Sequence, residues 1–185
     1  MFALRYGDAG IGRAGLNPRV RATPAVALGA YDSTPLEVAG AYTVFANQGI
    51  RLDPFLIHQV RTSDGSLLER HQSTPTPVLD PRVAYLVTNL LEETLNRGTG
   101  AGTRTRGFLA PAAGKTGTSR DAWFVGYTSN LLCAVWVGFD DYSDLGLPGA
   151  VAALPIWTEF MKRATALPAY RDLQPFVPPE GIMTV

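Results

Sequence analysis

The sequence predicts an α+β fold. Three observations carry this: two capped helical stretches early in the chain, three consecutive strands across residues 112–139, and a closing apolar-faced helix at 155–164. Strands grouped together, with helices before and after them, characterise that class. At 185 residues, 46% hydrophobic and 17% charged, the chain can bury a core. No repeat or low-complexity linker divides it, so residues 1–185 read as a single domain unit.

Residues 1–33 are rich in Gly, Ala, Arg and Pro, and read as a loop-rich lead-in with one short helix. Thr34-Pro35-Leu36-Glu37 then starts a helix: Thr34 caps, Pro35 takes the first helical position, and Glu37 closes a capping box. Leu36, Val38, Tyr42 and Phe45 form its expected buried face, and it ends near Asn47 and Gly49. Residues 55–61 and 67–70 flank Ser63-Asp64-Gly65-Ser66, which reads as a hairpin turn. His58 and His71 lie in or beside this hairpin, far in sequence from any acid or nucleophile, and read as surface or packing residues. Asp80-Pro81 opens the next helix. Val83, Leu86, Val87, Leu90, Leu91 and Leu95 follow helical spacing, and Gly98 stops it. Residues 97–106 are expected to be a flexible basic connector, with an anionic contact as the second reading.

Residues 112–119, 123–127 and 131–139 read as strands, with Ser129-Asn130 turning between the last two. The third is continuously apolar, as a covered central strand would be. Residues 155–164 form the last expected helix, with Ile156, Trp157, Phe160 and Met161 on its apolar face. The tail, 167–185, carries four prolines and should be extended.

Sixteen basic residues balance sixteen acidic ones, which argues against a nucleic-acid or membrane-surface partner. Cys133 is the only cysteine; no intrachain disulfide can form, and its apolar run makes it a small buried hydrophobe. The longest apolar stretch is too short to cross a bilayer, and the first residues do not open a signal peptide. No His, Cys and Asp cluster has metal-ligand spacing, and no cofactor is expected.

The chemistry concentrates at Gly114-Lys115-Thr116-Gly117-Thr118-Ser119. A cation, two hydroxyls and a glycine on an edge strand can hold a carboxylate beside a reacting carbonyl. Two features argue against a phosphate-binding loop. It needs glycine where Leu109 stands, and a helix where strand-forming Trp123, Phe124, Val125 and Tyr127 follow. A nucleophile elbow at Ser119 lacks its closing glycine.

Lys115-Thr116-Gly117-Thr118 resembles the third active-site motif of serine penicillin-recognising enzymes. Residues 23–49, Asp121-Ala122-Trp123-Phe124-Val125-Gly126-Tyr127, Val135-Trp136-Val137-Gly138-Phe139-Asp140-Asp141 and Pro155-Ile156-Trp157 resemble, in the same order, class A (bifunctional) penicillin-binding proteins. The resemblance implies an antiparallel sheet between helical layers, of the penicillin-binding and serine β-lactamase type. It implies that Lys115 brings positive charge and aids proton movement. Thr116 and Thr118 would bind the carboxylate of a peptidoglycan stem peptide or β-lactam. Gly117 would admit the substrate backbone, and the Thr118 N–H would be one of two oxyanion-hole donors. It also implies work at the extracytoplasmic face of a bacterial inner membrane.

Two family motifs are missing from this sequence. No serine has lysine three positions on, and Gly15-Leu16-Asn17 is the nearest approach to Ser-x-Asn. The expectation is therefore the C-terminal portion of a transpeptidase domain. Nucleophile, first two strands, glycosyltransferase domain and membrane anchor would lie upstream. Such a chain is expected to be inactive alone, and one sheet edge should be unpaired and prone to association. A non-catalytic remnant that binds through an edge strand remains the alternative. A class A serine β-lactamase fits less well, because it would not share residues 23–49.

Overall fold

The computed structural model describes residues 12–16, 23, 24, 26, 29 and 31–183. Most of the lead-in, Asn17 and the last two tail positions lie outside the described residues.

Helix α1 (Pro35–Ala46) starts as its cap dictates. The Glu37 N–H donates to Thr34 Oγ1 at 3.2 Å, and the Thr34 N–H donates to Glu37 Oε2 at 2.7 Å. Its buried residues are Gly40, Ala41 and Val44. Leu36, expected inside, is exposed because the buried stripe begins one turn later. Gly49 closes the helix at φ 94°, where a Cβ would collide with the Leu79 carbonyl. Two small antiparallel pairs follow: β1 (Ile50–Arg51) with β4 (Thr76–Pro77), and β2 (Gln59–Arg61) with β3 (Leu67–Arg70). The hairpin turns at Gly65, φ 89°, as Asp64-Gly65 predicts, but its first strand begins at Gln59 rather than at Phe55. His58 and His71 are exposed and pack beside Phe55, at 6.3 and 4.6 Å between ring centroids.

Helix α2 (Pro81–Asn96) is capped by Asp80, which accepts from the Arg82 N–H at 2.9 Å. Its buried residues are Ala84, Thr88 and Leu95, while Val83, Leu86 and Leu90 are exposed, against expectation. The helix seats through small side chains: a Cβ on Gly114 would come within 3.2 Å of Leu95 Cδ1. Residues 97–106 are not a flexible connector. They include a one-turn helix, α3 (Gly102–Thr105), with Thr103 fully buried. Arg104 Nη1 donates to the carbonyls of Phe108 and Ala110, at 2.9 and 2.7 Å.

The main sheet is an antiparallel meander of β5 (Ala113–Thr118), β6 (Ala122–Tyr127) and β7 (Leu132–Val137), in that order. The third strand is thus an edge, not the centre. Connections of three and four residues force each strand beside its predecessor. Its continuous apolar character reflects helices packed on it, because α1 and the last helix both contact β7. Tyr127 and Phe124 project to opposite faces of β6. Tyr42 of α1 meets Tyr127, with centroids 6.4 Å apart, and Trp157 meets Phe124 at 4.9 Å. The antiparallel sheet lies between helical layers.

Helix α4 (Gly149–Thr165) begins six residues before the expected start and carries Pro155 inside it. Its buried stripe is Ala153, Leu154, Trp157, Thr158 and Met161; Ile156 and Phe160 stand one position off it and are exposed. The Trp157 indole N–H donates to the Cys133 carbonyl at 3.1 Å, and burial pushes the Cys133 thiol up to about 11. The tail, expected to be extended from residue 167, instead turns at 167–170 and again at 180–181; residues 171–179 between them carry no helix or strand, and Phe176 packs edge-on to Tyr127 at 5.5 Å.

Trp157→Ala should lower unfolding stability in urea by about 3–5 kcal/mol, because it empties the centre of the core. A loss below about 1 kcal/mol would contradict that placement. Among the described residues nothing pairs with the outer edge of β7. Sedimentation velocity should therefore show association that grows with concentration; a monodisperse monomer over a wide range would contradict it.

Candidate functional site

Strand β5 carries the predicted site residues, and its chemistry follows from which way each backbone group turns. The Ser119 N–H donates to the Asp121 carbonyl at 3.0 Å, toward β6. Backbone groups alternate sides along a strand, so the Thr118 N–H points away from β6, to the outer edge of β5. Gly114 obeys the same alternation, since its carbonyl accepts from Thr94 Oγ1 of α2. The outer edge is thus covered by α2 at its start, and no strand among the described residues covers it farther along.

The side chains divide in the same orderly way. Lys115 is exposed; its Nζ donates to the Thr116 carbonyl at 2.7 Å and lies 3.5 Å from Thr116 Oγ1. No ion pair among the described residues involves it, so its charge is not neutralised by a carboxylate. Thr116 is 8% exposed, with its hydroxyl 2.8 Å from Thr99 Oγ1. Thr118 is exposed, and its Oγ1 accepts from the Gly149 N–H at 3.0 Å. A hydroxyl has one hydrogen and two lone pairs, so this bond leaves the Thr118 hydrogen free to donate. At Gly117 a Cβ would lie 3.1 Å from Trp123 Cβ, its partner across the β5–β6 pair.

The same region shows why the other sequence candidates fall away. Ser119 sits in the β5–β6 turn and donates to Asp121 Oδ1 at 3.2 Å, while Asp121 also accepts from the Trp136 indole at 2.6 Å. Asp121 is therefore committed to holding the turn. Both histidines stand at the β2–β3 hairpin. Among the described residues no helix is long and apolar enough to cross a membrane.

Sequence reasoning missed Thr99 and Gly149. The signal at Thr99 was a threonine between two glycines, Gly98 and Gly100, in a segment taken for a connector. The signal at Gly149 was Pro148-Gly149 ahead of an apolar run, hidden because Pro155 looked like the helix start.

Known proteins share the sequence and the fold of this chain. Residues 10–152 match the penicillin binding protein transpeptidase domain family. Penicillin-binding protein 1A of Neisseria flavescens is 34% identical over 194 residues, covering 99% of this chain and 24% of its own length. Penicillin-binding protein 1A of Pseudomonas aeruginosa is 33% identical, covering 74% of this chain and 23% of its own. The chain thus spans about a quarter of the length of these relatives. The crystal structure of penicillin-binding protein 1A from Haemophilus influenzae superposes with a TM-score of 0.80 at 27% identity, over 97% of this chain and 34% of that one. The fold is shared with PonA1 from Mycobacterium tuberculosis, solved in complex with penicillin V, at a TM-score of 0.77 and 23% identity, over 98% of this chain and 53% of that one.

Gly149→Ala tests how β5 is held. A Cβ there would fall well inside van der Waals contact with the carbonyl oxygens of Gly117 and Trp123, both backbone atoms with little room to move. The variant should lose about 1–3 kcal/mol in urea unfolding, and Thr118 should show shifted amide resonances. Unchanged stability would show that α4 does not seat on β5.

Proposed function

Because the chain belongs to the penicillin-binding protein transpeptidase domain family, we propose that it is the C-terminal portion of that domain in a class A, bifunctional enzyme. Residues 1–185 then form part of one domain, and a segment N-terminal to them supplies the serine nucleophile. The reaction is acyl transfer in peptidoglycan cross-linking. The serine oxygen attacks a carbonyl carbon of the stem peptide, or of a β-lactam, and the carbonyl carbon–nitrogen bond breaks. Cleavage leaves an acyl-enzyme that the acceptor amine resolves. The longer protein would work at the extracytoplasmic face of the inner membrane, anchored outside this chain.

The observation that carries this reading is the outer edge of β5 at Thr118. There a backbone N–H and a hydroxyl hydrogen are both available, beside an unneutralised lysine. A carboxylate only accepts hydrogen bonds, so it suits Lys115, Thr116 and Thr118. The Thr118 N–H is suited to the oxyanion that forms as the serine attacks. Gly117 adds no side chain between the strand and an extended substrate. Lys115 acts through its charge and helps the leaving nitrogen gain a proton. The alternative, a non-catalytic binding module, draws on the unpaired edge of β7 and predicts no acylation in any context.

The test is the acylation rate with benzylpenicillin, measured in the longer protein that includes the proposed serine. Thr118→Pro removes the outward N–H, and an edge position tolerates proline. It should lower the rate by about 100- to 1000-fold. Thr118→Val removes only the hydroxyl and should lower it by about 10- to 100-fold, through weaker carboxylate binding. Equal losses in the two variants, or none, would contradict the assignment of the N–H.

A further inference from the structure

The hydrogen bond between Thr99 and Thr116 joins the proposed carboxylate site to a turn that no part of the reaction has yet used. That turn is built for placement. The Gly98 N–H donates to the Glu93 and Thr94 carbonyls at 3.1 and 3.2 Å, and the Gly100 N–H donates to the Thr94 carbonyl at 2.8 Å. A Cβ on Gly98 would lie 2.8 Å from Thr94 Cα, and one on Gly100 would lie 3.1 Å from the Thr94 carbonyl oxygen. Neither position admits a side chain without moving the backbone of α2. On the far side the buried Thr103 fastens the turn, its hydroxyl donating to the Gly100 carbonyl at 2.9 Å. Thr94, around which the turn folds, itself donates to Gly114 of β5. Thr99 is therefore held against the strand whose motif it touches, 2.8 Å from Thr116 Oγ1.

Building on the acyl-transfer reading above, we infer that Thr99 is a positioning residue: it donates its hydroxyl hydrogen to Thr116 Oγ1, so that the Thr116 hydrogen is aimed at the ligand carboxylate. Each hydroxyl has one hydrogen. If Thr116 gave its hydrogen to Thr99, only oxygen lone pairs would face the carboxylate, and they would repel it. If Thr99 gives its hydrogen to Thr116, the Thr116 hydrogen is free. The Lys115 ammonium, which can only donate, lies 3.5 Å from Thr116 Oγ1 and favours a lone pair turned toward it. A bound carboxylate thus selects the order Thr99 to Thr116 to ligand. Successive bonds in such a chain polarise one another. Thr99 touches neither the reacting carbonyl nor the serine in this account; it acts on binding through Thr116.

The experiment uses the longer protein with its serine, with benzylpenicillin and benzylpenicillin methyl ester as probes. Thr99→Val keeps the shape and removes the hydroxyl; Thr99→Ser keeps the hydroxyl. With benzylpenicillin, Thr99→Val should weaken the pre-covalent complex by about 3- to 10-fold, leave the acylation step itself unchanged, and be rescued by Thr99→Ser. The methyl ester, which has no free carboxylate, should show no loss. Equal losses with both probes would make Thr99 merely structural, and no loss with benzylpenicillin would remove its role; either overturns the inference. Thr116→Val run alongside separates the causes. If Thr116→Val lowers benzylpenicillin acylation while Thr99→Val does not, the inference alone fails. If neither variant has an effect, the assignment of this site fails with it.

Discussion

The seating of helix α4 on the β5–β6 pair is the constraint on which the rest of the structure depends. Gly149, the first residue of α4, lies against the backbone of Gly117 and Trp123 so closely that no side chain fits between them. Its N–H reaches Thr118 Oγ1 at 3.0 Å. One residue therefore joins the start of a helix to the Thr118 end of a strand. About two turns along the same helix Trp157 closes the core, with Gly126 bare beneath its ring so that the indole can approach the sheet. Glycines at 126 and 149 are the means by which the helix and the strand pair come so close.

That close seating leaves β5 with two unlike edges. One is paired with β6 along its length; the other is held by Thr94 at Gly114, fastened by Thr99 at Thr116, and open at Thr118. An open edge usually threatens solubility, because its backbone groups invite any passing strand. Here the opening is short, and a lysine and hydroxyls stand beside it. Those features favour a small acceptor ligand over an intruding strand. The open edge of β7 has no comparable guard: its residues are half-buried and mainly apolar, in keeping with a proposed neighbour in a longer protein.

Much of this was legible in the sequence, and the reasons are local. Thr34 with Glu37, Asp80 with Pro81, and Asp64-Gly65 each specify a conformation through neighbours a few residues away, and all appear where they were expected. The motif on an edge strand was legible as well. What failed depended on distant partners. Hydropathy marks Leu36, Val83, Leu86, Leu90, Ile156 and Phe160 as apolar, but not whether anything covers them. Leu132 to Val137 reads as buried because helices pack on it, a property that says nothing of strand order. Pro155 looked like a helix start because proline favours that position, yet α4 runs through it. Thr99 was invisible because its meaning lies in a hydroxyl seventeen residues away.

The central claim is that this chain presents half of an acyl-transfer site, and intact mass after incubation with benzylpenicillin tests it most directly. The 185-residue chain alone should keep its mass, since it contains no Ser-x-x-Lys. The longer protein should gain one penicillin equivalent, on a serine outside these residues. A stoichiometric adduct on the chain alone would contradict the account.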